Sequence, residues 1–112
     1  MALTAKKAYS LGMGPFPSGI YRADYPYLYR APKGYTEEEA IKYYIDKIYK
    51  LFDESTPASD VACMIIEPIQ GEGGFVPAPI EWVKAVRKIC DDNGILMIAD
   101  EVQCGNCRTG RY

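Results

Sequence analysis

Apolar and polar positions alternate with different periods along the chain, and the changes of period mark its elements. From Thr36 to Ser55 the apolar residues Ile41, Tyr44, Ile45, Ile48, Leu51 and Phe52 recur at the i, i+3, i+4 spacing of one helix face. Thr36 followed by Glu39 is a capping-box pattern, so the spacing predicts a helix over 36–54. Residues 61–66, "VACMII", and 95–99, "ILMIA", are apolar without alternation. Such runs predict short parallel strands buried on both faces. Between them, "PIEWVKAVRKICDDNG" predicts a helix over 79–92, with Trp82, Val83, Val86, Ile89 and Cys90 on its apolar face. Pro79 suits the first turn and Gly94 the position just past the end. The order strand, helix, strand predicts a βαβ unit of an α/β sheet.

Residues 1–35 have no sustained period. Four prolines and four glycines break them up, so they are expected to be irregular and to face a partner or an interface. Residues 36–112 are expected to be part of a larger α/β domain. Two parallel strands need cover on both faces and pairing along both edges, and two helices do not supply it. The chain is therefore expected to be ordered only beside neighbouring strands from elsewhere.

Composition narrows the function. At 112 residues, 48% hydrophobic and 25% charged, the chain is ordinary globular material for one small domain at most. A net charge of −2 gives no general attraction to nucleic acid or anionic membrane. The tyrosines of "YRADYPYLYRAPKGY" could stack on bases, but too few cations accompany them, and a partner-facing loop fits better. The apolar runs are too short to span a bilayer, and the N-terminus lacks the apolar core of a signal peptide. A cytoplasmic protein with reduced thiols is expected. With no histidine, this chain supplies no Ser-His-Asp triad, histidine metal ligand or histidine base.

The candidate chemistry lies where the apolar runs stop. Ligands of α/β sheets bind outside the carboxyl ends of the strands. "EPIQGEGG" follows the first run and "ADEVQ" ends the second. Asp100 is a helix cap or a solvated strand-end acid, or else a carboxylate facing a cationic group, such as a metal or a protonated ring nitrogen.

The text "IIEPIQGEGGFVPAPIEWVKAVRKICDDNGILMIADEVQ", followed by "RTG", resembles the central motif region of class III pyridoxal-phosphate-dependent aminotransferases. It is most similar to the 4-aminobutyrate aminotransferase group. Upstream, "GPFPSGIYRADYPYLYR" resembles the preceding segment of that group, near its dimer interface. The resemblance implies the βαβ portion of the large domain of a fold-type I transferase. It implies an amino group moved from an ω-amino acid, 4-aminobutyrate first, to a 2-oxo acid, in a homodimer or larger assembly. Asp100 would pair with the pyridine nitrogen of pyridoxal 5′-phosphate and keep it protonated, so that the ring accepts electrons from the substrate. Val102 would pack on the flat face of the ring, and Gln103 would donate to its phenolic oxygen. Glu67 would lie close to the cofactor and help order the site. Glu72 would pair with an arginine from a later part of the chain and release it to a substrate carboxylate. Glu101 takes no role from the resemblance.

Two features depart from the family. "QCGNCRTG" stands where "QTGFGRTG" is usual, placing Cys104 and Cys107 at small or glycine positions. Cys104 and Cys107 could be half of a zinc site or a redox pair, the basis of an alternative reading as a non-catalytic, metal-binding scaffold. The lysine that would bond the cofactor is expected downstream of "RTG", and no lysine of this chain stands at the matching position. The 112 residues alone are therefore expected to be inactive.

Overall fold

The computed structural model describes residues 2–4 and 6–110. The opening segment is irregular apart from a one-turn helix, α1 (Lys7–Ser10), and a 3₁₀ turn at Leu28–Arg30. Helix α2 (Glu37–Glu54) starts where its box predicts. Thr36 is the cap residue: Glu39 N–H donates to its hydroxyl at 3.2 Å, and its own N–H donates to Glu39 Oε2 at 2.8 Å. Such a cap contributes about 1 kcal/mol. Glu37, Glu38 and Glu39 place negative charge at the positive end of the helix dipole.

Strand β1 (Cys63–Ile66) is shorter than its apolar run. The hairpin β2 (Ile69–Gln70) and β3 (Val76–Pro77) follows. The sequence shows only a glycine-rich turn there, because two-residue strands with a proline carry no period. Helix α3 (Ile80–Asn93) begins one residue later than expected, with Pro79 outside as the cap. It ends at Gly94, whose φ of +68° a β-carbon disfavours. Strand β4 (Leu96–Ala99) closes the unit. It pairs parallel with β1 in the register Cys63↔Leu96 through Ile66↔Ala99.

One continuous core joins α2, α3 and one face of the β1–β4 pair. Tyr44 and Ile48 of α2, Trp82, Val86, Ile89 and Cys90 of α3, and Ile66 and Ile95 are all buried in it, with Met64 and Met97 packed against it. The expectation that both strand faces are buried does not hold for this chain. α3 covers the Met64/Met97 side, while Cys63, Ile65, Leu96 and Ile98 point the other way and are exposed, Leu96 to 69%. No element among the described residues lies over that side.

The irregular segment contributes to this core as well as to the surface. Pro26 is fully buried, and the Tyr25 ring lies 6.2 Å from that of Trp82. Tyr44 O–H donates to Tyr27 O at 3.0 Å. Tyr21, Tyr29 and Tyr35 remain exposed.

Candidate cofactor-binding site

The parallel register brings the two candidate acids to the same end of the sheet. Asp100 N–H donates to Ile66 O at 2.8 Å, extending the ladder one rung past β4. Glu67, the next residue after Ile66, therefore emerges beside Asp100. Glu67 Oε2 accepts the Gly71 N–H at 2.9 Å and so fixes the first residue of the hairpin tip. Asp100 Oδ1 accepts the Val102 N–H at 3.2 Å, a local turn that reverses the chain at the strand end. Among the described residues, Asp100 Oδ2 has no hydrogen-bond partner.

Val102, just past that turn, is 97% exposed. The Gln103 side chain folds back against Gly71. A β-carbon at Gly71 would overlap its carboxamide, so the glycine is what gives Gln103 its place. An open cleft of about 750 Å³ lies alongside, bounded by Ile69, Gly71, Phe75, Val102, Gln103 and Cys104, with Arg108 and Thr109 at its edge. Asp100, Glu67 and Glu72 do not line it. The structure thus gathers Asp100, Val102, Gln103 and Glu67 at one sheet end, with only Val102 and Gln103 on the cleft.

Glu72 lies apart on the exposed hairpin tip, paired with Lys6 from the opening segment. That hydrogen bond holds the Glu72 carboxyl below its ordinary range and the Lys6 ammonium above its own. Both groups are solvent-exposed, so the pair is screened and weak. Among the described residues Glu72 pairs with Lys6, and the arginine implied by the resemblance belongs to a later part of the chain. Glu101 is exposed, and its carbonyl accepts the Gly105 N–H at 2.9 Å.

Sequence reasoning missed Tyr25. Its phenol reaches three carbonyls at the base of the hairpin: Glu67 O at 3.0 Å, Val76 O at 3.1 Å and Pro68 O at 3.2 Å. Burial pushes the phenol up to about 12, against the opposing pull of the Gln70 backbone N–H. Tyr25 therefore stays neutral and anchors the strand end that carries Glu67. Its only signal was a tyrosine before a proline in a segment rich in both.

The two thiols of the C-x-x-C differ: Cys104 is buried and Cys107 is exposed. Among the described residues there is no group of three or more His, Cys, Asp or Glu able to hold a metal. No helix among them is long and apolar enough to cross a membrane.

The residue types at this strand end suit a cofactor with a protonated ring nitrogen. Asp100 brings a free carboxylate oxygen to the strand end, and the uncovered Val102 and the Gln103 amide line the cleft beside it; a protonated pyridine calls for a counter-charge, a flat contact and a donor of these kinds.

Comparison with known proteins agrees. The family model described as aminotransferase class-III matches residues 1–112. The chain is 40% identical to a probable 4-aminobutyrate aminotransferase of Bacillus subtilis, over 100% of this chain and 26% of that protein. It is 44% identical to the 5-aminovalerate aminotransferase DavT of Pseudomonas putida, over 100% of this chain and 25% of that protein. Among solved structures, it superposes with a TM-score of 0.81 on a pyridoxal-phosphate-bound amine transaminase from an uncultivated Pseudomonas species. The two are 30% identical over 93% of this chain and 23% of that one. The chain thus spans about a quarter of the length of the relatives it matches. Matched along its whole length, it belongs to the class-III aminotransferase family.

Proposed function

We propose that these residues form the wall that holds the cofactor ring in a pyridoxal-phosphate-dependent aminotransferase. The enzyme moves an amino group from an ω-amino acid, 4-aminobutyrate first, to a 2-oxo acid. The observation that carries this reading is the rung between Asp100 and Ile66, which sets Asp100 and Glu67 side by side at the carboxyl ends of paired parallel strands. The names of the relatives support the substrate class, one being a probable 4-aminobutyrate aminotransferase and another a 5-aminovalerate aminotransferase.

When bound, pyridoxal phosphate supplies an electron sink for the substrate. Asp100 holds a proton on the ring nitrogen by charge, its other oxygen being engaged by Val102 N–H. Val102 offers the apolar contact, and Gln103, seated against Gly71, donates from its amide. Glu67 keeps Gly71 in place and so supports Gln103 from below. Glu72, released from Lys6, is free to take the arginine that the resemblance implies.

Among the described residues, the lysine amine nearest in the fold to the hairpin tip is that of Lys6, which is paired with Glu72. Lys42, Lys47, Lys50, Lys84 and Lys88 lie on α2 and α3 in ion pairs, and none is the lysine that the resemblance implies for the cofactor. Turnover by this chain on its own is not expected. A protein of the relatives' full length carrying this chain, called the full-length protein below, tests the reading. With pyridoxal phosphate it should form glutamate from 2-oxoglutarate in the presence of 4-aminobutyrate or 5-aminovalerate. Failure to aminate any 2-oxo acid from any ω-amino acid would overturn it.

A further inference from the structure

Two thiols in the turn after β4 have no part in that chemistry. Asn106 and Cys107 both have positive φ, +54° and +65°. Arg108 N–H donates to Gly105 O at 3.1 Å, so Gly105–Arg108 is a type I′ turn. Its central positions favour glycine, asparagine and aspartate. Asn106 conforms. Cysteine at 107 does not, and a β-carbon in this conformation costs about 1–2 kcal/mol. Cys107 is exposed, so packing does not repay that cost. Backbone strain kept at an exposed thiol points to use of the side chain. Three residues earlier, Cys104 is buried on the cleft beside Gln103, its sulfur 3.9 Å from Asp100 O. Gly105 N–H to Glu101 O at 2.9 Å and Gly110 N–H to Cys107 O at 3.0 Å hold the flanks of the same folded segment.

We propose that Cys104 and Cys107 form a dithiol that low-molecular-weight disulfides oxidise reversibly. The exposed Cys107, as thiolate, attacks one sulfur of the disulfide and expels one thiolate. Cys104, as thiolate, then attacks the Cys107 sulfur and expels the second. The protein loses two electrons and two protons, and the oxidant becomes two thiols. Cys104 directly precedes the turn and Cys107 is its third residue, so only two residues separate the thiols and closure competes with a lasting mixed disulfide. Cys63 is exposed and Cys90 buried, and neither lies in the segment 104–108. The inference does not depend on the aminotransferase reading.

The test equilibrates the full-length protein with oxidised and reduced glutathione, traps free thiols by alkylation and maps the peptides by mass. The peptide containing residues 104–107 should lose two hydrogens and regain them in excess reduced glutathione. Closure should be about tenfold more favourable, about 30 mV, in the native protein than in concentrated guanidinium. Cys107→Ser should abolish the intramolecular product, and the wild-type comparison stands even if that variant folds poorly. A glutathione adduct that persists on Cys107, or closure no easier in the native than in the denatured protein, would overturn the proposal.

Discussion

Asp100 donates its backbone N–H to Ile66 O at 2.8 Å, one rung beyond the last residue of β4. This single bond decides where the carboxylate stands. It keeps Asp100 in register with Glu67 and starts the reversal that exposes Val102. A strand ending one residue earlier would leave the acid in a mobile loop.

Gly71 and Gly105 offer a contrast within the same site. A β-carbon at Gly71 meets the mobile end of Gln103, whereas one at Gly105 meets the Glu101 backbone oxygen at 2.7 Å. Gly71→Ala in the full-length protein should keep its stability but weaken cofactor retention, because Gln103 must move aside. Gly105→Ala should lose about 1–3 kcal/mol of stability, since backbone must give way. Urea unfolding together with cofactor titration checks both, and equal stability losses would show that Gln103 is not free to move.

Tyr25 should matter to stability through one hydroxyl. Tyr25→Phe leaves the carbonyls at the hairpin base without their donor, at a cost of about 1–2 kcal/mol near neutral pH. The sign with pH follows from a phenol raised to about 12 in the fold against 10.0 ordinarily. Its contribution is complete below pH 10 and is lost as pH rises toward 12. Wild-type stability should therefore fall more steeply than that of the Phe variant across this interval, as read by urea midpoints at successive pH values.

How far the sequence carried can be judged element by element. α2 was legible because Thr36 and Glu39 form a box and the apolar spacing is regular. α3 was legible through Trp82, Val86 and Ile89, with Gly94 marking its end. β1 and β4 were legible as strands, but unbroken apolar runs do not say what covers each face. Ile65 and Ile98 read as core and are exposed here, as α3 reaches only the opposite side. The hairpin at Ile69 and Val76 was hidden by its shortness, and the turn at Asn106 and Cys107 by the absence of glycine at its centre. Of the site, the position of Asp100 after the strand was plain. That Gln103 leans on Gly71, and that Tyr25 holds the hairpin, depends on contacts no local pattern encodes.

Cys107 gives a stability test of the turn itself. Glycine adopts φ near +65° without penalty, so Cys107→Gly in the reduced full-length protein should gain about 1 kcal/mol. Thermal unfolding in the presence of reductant measures it. A loss of stability would mean that the Cys107 side chain makes contacts outweighing its backbone strain.

The uncovered face of Cys63, Ile65, Leu96 and Ile98, together with open strand edges, bears on the isolated chain. At low micromolar concentration the 112 residues should self-associate or melt without a cooperative transition. Sedimentation combined with thermal unfolding reads both. A monomer with one sharp transition would show that this face needs no cover.

If the Asp100 carboxylate holds the charge of the cofactor ring, Asp100→Asn removes the carboxylate's charge and little else. Asparagine keeps the shape and leaves the backbone rung to Ile66 intact, so the full-length variant should fold and melt as the wild type does. Steady-state transamination of 4-aminobutyrate with 2-oxoglutarate should show kcat lowered by about 100-fold or more, the scale of one charged partner lost from a closed site. A folded variant whose kcat stays within a few-fold of the wild type would contradict the assignment of Asp100 and, with it, the reading of this strand end as the cofactor's wall.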